Sequence, residues 1–124
     1  MRALADSSQI AITRVDGCLV ANVQADLTLE VREHLRDSLL GRLENTATIG
    51  VVLDFSGLTV MDIVEFTEIR KLVETVEFLG VRCVVVGLSP GIVRYLVMAN
   101  ANTEGFRSML SLEDALHWLV KGRS

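Results

Sequence analysis

The amino-acid sequence predicts a single α/β domain built on a mixed, mostly parallel sheet flanked by helices, in the order β-β-α-β-α-β-α-β-α. Three observations predict it. Two aliphatic runs, Ile49 to Phe55 and Val81 to Val86, lack the polar alternation of a half-exposed strand, so both of their faces are expected to be covered. Each is followed by apolar residues at helical spacing behind a capping residue. Two shorter runs joined by Asp16-Gly17 read as a hairpin at the beginning.

The hairpin pairs Ile10 to Val15 with Cys18 to Val23, because Asp-Gly accepts the positive φ values of a type I′ turn. The first helix places Val31, Leu35, Leu39 and Leu43 on one face with Leu40 beside them, while Arg32, Glu33, Arg36, Asp37 and Arg42 cover the other. Asp26 and Thr28 both offer capping oxygens before it. After the run that ends at Phe55, Ser56-Gly57 breaks the strand and Asp62 to Glu65 forms a capping box. Phe66, Ile69, Leu72, Val73, Val76 and Leu79 give the inner face of the second helix, and Gly80 is its expected C′ residue.

The pattern then repeats. Val81 to Val86 is a strand, Gly87-Leu88 a turn, and Ser89-Pro90 an N-cap with proline at the first helical position. Ile92, Tyr95, Leu96 and Ala99 carry that short helix to Asn100. Gly105 to Met109 is a short edge strand, and Ser111 caps a last helix with Leu112, Ala115, Leu116 and Leu119 inward. The tail from Lys121 to Ser124 is expected to fray. Together these make one domain over residues 1–124, with a core over about 8–121.

Composition narrows the function. Hydrophobic residues are 50% of the chain and mean hydropathy is +0.41, which excludes disorder. A membrane span is excluded because the longest uncharged stretch, Cys83 to Val93, is interrupted by Gly87, Ser89, Pro90 and Gly91. A net charge of −4 argues against nucleic acid or anionic membrane as a partner. The apolar excess points to strands buried on two faces and to a sticky partner surface. Cys18 and Cys83 each lie inside an apolar run, form no C-x-x-C pair, and read as buried small hydrophobes. Arg2 is soon followed by Asp6, Ser7, Ser8 and Gln9 without the apolar segment of a signal peptide, so a cytoplasmic location is expected.

Enzymatic chemistry finds no support. His34 and His117 lie on different helices, and neither has a second histidine at ligand spacing, so no metal or other cofactor is expected. Neither cysteine stands at a helix N-terminus, where a thiolate would be favoured. G-x-G-x-x-G, P-loop and G-x-S-x-G motifs are missing. Asp54, closing a central strand, resembles the phosphoacceptor of receiver domains. That family also needs an acidic pair after the first strand, a hydroxyl ending the fourth and a lysine ending the fifth. Here the first strand leads to Asp16-Gly17, Val86-Gly87 carries no hydroxyl, and Lys71 and Lys121 both lie on helices.

The segment Val51-Val-Leu-Asp-Phe-Ser-Gly-Leu-Thr-Val-Met-Asp62, then a helix, then Val84-Val-Val-Gly-Leu-Ser-Pro90, resembles the STAS domain. Anti-sigma factor antagonists and the cytoplasmic tails of sulfate transporters share that domain. The resemblance covers nearly the whole chain, from the hairpin to Ser111-Leu-Glu-Asp-Ala-Leu116. Val23-Gln-Ala-Asp-Leu-Thr28 and Leu79-Gly80 are most similar to the RsbS-type antagonists of the stressosome. It implies a non-enzymatic, partner-switching domain acting in stress response and regulation of transcription. The implied partners are an anti-sigma factor or a switch protein kinase of the histidine-kinase-like ATPase superfamily, and sister STAS proteins, in a homo-oligomer or a large assembly. Met61, Asp62, Ile63, Val64 and Glu65, with Ser89, Pro90 and Gly91 adjoining, are the implied partner-binding residues.

In phosphorylatable relatives the capping Asp is followed by Ser or Thr, and the kinase adds about two negative charges there, at a helix N-terminus. This chain departs from that pattern. Ile63 and Val64 occupy the hydroxyl positions, and Tyr95 stands where stressosome co-antagonists carry a second, threonine acceptor. Three readings of the substitution follow. Ile63 and Val64 pack the first helical turn; or an exposed Ile63 keeps the partner-facing loop permanently apolar, as in its unphosphorylated form; or Glu65 supplies a fixed charge. Ser56, Thr59, Thr67 and Ser89 remain as nearby hydroxyls. If the apolar surplus has a functional component, Met61, Ile63 and Val64 should expose it. Two alternatives stand beside docking: a nucleotide- or anion-binding module at the Asp62 or Ser89 helix start, with Arg94 the one adjacent base, and a purely structural assembly subunit.

Overall fold

The computed structural model describes residues 9–122. The hairpin forms as its turn chemistry requires. Strands β1 (Ile10–Val15) and β2 (Cys18–Val23) pair antiparallel, and Asp16 and Gly17 take φ values of 52° and 84°. β3 (Gly50–Asp54), β4 (Arg82–Val86) and β5 (Ser108–Met109) extend the sheet in parallel, in the order β1-β2-β3-β4-β5. The predicted edge strand over 105–109 shrinks to two residues, because Phe106 N bonds back to Thr103 O in a turn before the pairing starts.

Both faces of β2, β3 and β4 are covered, which accounts for their uninterrupted apolar sequences. On one face Leu19, Val51, Leu53, Cys83 and Val85 pack beneath the helices α1 (Leu29–Asn45), α2 (Ile63–Phe78) and α3 (Pro90–Met98). On the other, Cys18, Val20, Val52 and Val84 meet Ala115 and Leu119 of the single helix α4 (Leu112–Lys121). Both cysteines are buried and unpaired by disulfide. Burial pushes both thiols up from their ordinary pKa, helped by Asp16 beside Cys18 and Glu77 beside Cys83.

The helix ends follow their caps. Thr28 alone caps α1, its Oγ1 accepting from Val31 N at 3.3 Å, while Asp26 contributes a backbone carbonyl to Thr28 N instead of a side-chain cap. Gly80 N donates to Glu77 O and Val81 N to Val76 O, a Schellman closure of α2. That closure turns Leu79 out to solvent, against the expectation that it packs inward. α3 buries only Ile92 and Leu96, one i, i+4 pair, and leaves Tyr95 and Ala99, at helical spacing from them, exposed. α4 runs through Lys121, so of the tail expected to fray this residue is helical, and residues 123–124 lie outside the described residues. No helix among the described residues is long and apolar enough to cross a membrane.

Candidate functional site

Two loops leave the carboxyl ends of β3 and β4 and deliver the starts of α2 and α3 to the same place. Asp54, the last residue of β3, is a tether. Its Oδ1 accepts from Ser56 N at 3.0 Å and its Oδ2 from Asn22 Nδ2 at 3.2 Å, tying the loop start to β2. Phe55 N bonds Val86 O, and Leu58 N bonds Phe55 O. Phe55, Leu58 and Met61 then plug the loop into the core, so its irregular backbone is pinned at three points.

Gly87 closes the arrangement. Its φ is 83°, and a Cβ there would stand 2.6 Å from Ser56 N, so the two loops touch backbone to backbone. Side by side, the helix starts are capped in different ways. Asp62 Oδ1 accepts from Glu65 N at 2.8 Å while Glu65 Oε1 accepts from Asp62 N at 2.9 Å, a complete capping box. Ser89 Oγ accepts from Ile92 N at 3.2 Å, and Pro90 fills the first turn without an orphan donor.

Between them lies an open groove of about 360 Å³. Thr59, Val60, Met61, Asp62 and Glu65 form one side, and Gly91, Ile92 and Tyr95 the other. Of the predicted site residues, the groove gathers Met61, Asp62, Glu65, Gly91 and Tyr95; Ile63, Val64, Ser89 and Pro90 lie outside its walls. The expected exposure of Met61, Ile63 and Val64 needs correction. Met61 is only 3% exposed and Ile63 is half-buried against the core, whereas Val64 is 61% exposed. Val60, 60% exposed at the groove's rim, went unrecognised, since nothing in an irregular loop marks which of Leu58, Val60 and Met61 turns outward.

The nearby hydroxyls differ in availability. Thr67 Oγ1 donates to Ile63 O at 2.8 Å and Ser89 is occupied as a cap, while Ser56 and Thr59 are exposed. The thiols offer no activated nucleophile, because their protons are held more firmly than in solution. Among the described residues no group of three or more His, Cys, Asp or Glu side chains is placed to hold a metal ion.

The fold and this groove define a small α/β domain that presents two capped helix starts around an apolar cleft. The chain belongs to the STAS domain family, whose model matches residues 9–115. Solved structures with the same fold include RsbS from Moorella thermoacetica carrying a Ser-to-Glu substitution, at 24% identity and a TM-score of 0.79, covering 94% of this chain and 99% of that one. A chain from a structure describing the molecular architecture of the stressosome, "a signal integration and transduction hub", is 24% identical with a TM-score of 0.75, covering 91% and 98%. The anti-sigma factor antagonist SpoIIAA in its unphosphorylated form is 16% identical with a TM-score of 0.69, covering 91% and 96%. No curated protein matches the sequence.

Proposed function

We propose that the chain is a cytoplasmic, non-enzymatic regulatory domain that docks a protein regulator through the start of α2 and the adjoining start of α3, without a phosphorylation switch at positions 63 and 64. The regulator is an anti-sigma factor or a switch protein kinase, with sister STAS domains as further partners in an assembly. One observation carries the reading. Val64 projects from the first turn of α2, two residues after the capping Asp62, and is mostly exposed, so the second of the two positions where phosphorylatable relatives carry hydroxyls presents a branched aliphatic side chain to solvent. With Val60 and Tyr95 also exposed at the groove, Val64 adds to apolar surface of the kind that marks protein-interaction sites. The half-buried Ile63 supports the turn rather than the contact.

Nucleotide or anion binding is the weaker reading here, because Asp62 and Glu65 put two carboxylates on the groove and Arg94 is not among its walls. Immobilised wild type and Val64→Asp, exposed to the same native lysate with bound proteins identified by mass spectrometry, test docking. The wild type should retain a kinase or anti-sigma factor that the variant loses. Equal retention by both proteins points to another surface.

A further inference from the structure

Resting on the docking reading above, we propose that the groove between α2 and α3 receives an arginine side chain from a basic, apolar segment of the protein partner. Asp62 and Glu65 each spend one carboxylate oxygen on the capping box and keep a second that has no donor among the described residues. Neither carboxylate is ion-paired there. The pairs Arg36–Asp37, Arg70–Glu74 and Lys71–Glu68 lie elsewhere on α1 and α2. Two carboxylates with no ionic partner among the described residues therefore border a cleft edged by Thr59, Val60, Gly91 and the ring of Tyr95 and backed by the nearly buried Met61 and Ile92.

That combination matches the chemistry of one side chain. Arginine has an apolar stem that covers aliphatic surface. Its planar guanidinium donates several N–H groups to carboxylate oxygens. The same plane stacks on an aromatic ring. Lysine supplies the charge without the plane. A purely apolar segment would strip water from two carboxylates and give them no partner. An acidic or phosphorylated segment would be repelled. A phenol ring 46% exposed at the groove's edge is placed to receive a cation that enters from solvent.

The test uses the isotope-labelled chain, amide chemical shifts, and a blocked Leu-Arg-Leu tripeptide with a twin in which citrulline keeps the shape and removes the charge. The double variant Asp62→Asn with Glu65→Gln keeps both capping acceptors while neutralising the groove. Leu-Arg-Leu should shift the amides around residues 59–65 and 91–95 saturably. Its dissociation constant should rise about fivefold for the citrulline twin and for the double variant. Equal binding of the two peptides, equal binding by the double variant, or no shift along the groove overturns the proposal. Shifts at these residues that depend on protein concentration alone also overturn it, because a second copy then fills the groove. Capture of the regulator separates the two levels. Loss with Val64→Asp but not with the double variant keeps the docking reading and removes the arginine. Retention by both variants removes the two together.

Discussion

Gly87 stands so close to Ser56 that a Cβ at position 87 would lie 2.6 Å from the Ser56 amide nitrogen. This contact sets the starts of α2 and α3 beside one another, and the groove between them depends on it. Gly87→Ala meets both a backbone clash and a φ of 83°, so we expect a loss of about 2–3 kcal/mol in denaturant unfolding. Gly41→Ala provides the contrast. It lies within α1 with nothing near its missing Cβ, and should stabilise the chain by about 1 kcal/mol.

Asp62 caps α2 through a reciprocal pair of bonds with Glu65. Asp62→Ala removes the acceptor and should cost about 1–2 kcal/mol, whereas Asp62→Asn keeps it and should cost a few tenths at most. Thermal melts of the two variants distinguish a structural cap from a general need for charge at this position.

Leu119 is the largest buried side chain that α4 offers to its face of the sheet, where no other helix contributes. Leu119→Ala should cost about 2–5 kcal/mol by opening a cavity over Val52 and Val84. A far smaller loss, measured by urea unfolding, would mean that α4 contributes little to the core.

The cysteines define a pH window. Burial raises the Cys83 thiol above its ordinary 9.0, so the folded chain keeps a proton that the unfolded chain releases. Stability is then intact below the ordinary thiol pKa and falls as pH rises past it. Unfolding free energies from neutral to alkaline pH should show this decline, and Cys83→Ala should make it shallower, leaving the part due to Cys18, while lowering stability throughout. Both thiols should resist an aromatic disulfide reagent until the chain is unfolded.

The parts of the fold that the sequence revealed are those specified locally. Asp16-Gly17 dictates its own turn, the Asp62–Glu65 box states where α2 begins, and the unbroken aliphatic runs of β3 and β4 require cover on both faces. What escaped was decided by contacts between distant segments. Met61 is buried while Val60 one residue earlier is exposed, because the loop is plugged into the core through Phe55, Leu58 and Met61 and no periodicity governs it. Tyr95 and Ala99 sit at helical spacing from Ile92 and Leu96, yet α3 buries only a narrow stripe. The site was legible as a pair of capped helix starts. Its groove was not, since the approach of Gly87 to Ser56 joins residues 31 positions apart.

The surface at the start of α2 is proposed to work without phosphorylation, and intact-mass spectrometry can test this. Wild-type chain is incubated with ATP and the kinase that it captures, with a phosphorylatable STAS relative in a parallel tube as the control substrate. The mass of this chain should stay unchanged while the relative gains phosphate, because Ile63 and Val64 carry no hydroxyl, the Thr67 and Ser89 hydroxyls are bonded within their own helices, and the exposed Ser56 and Thr59 lie in the loop before the helix turn that carries the acceptor in relatives. A stoichiometric phosphorylated species of this chain would contradict it.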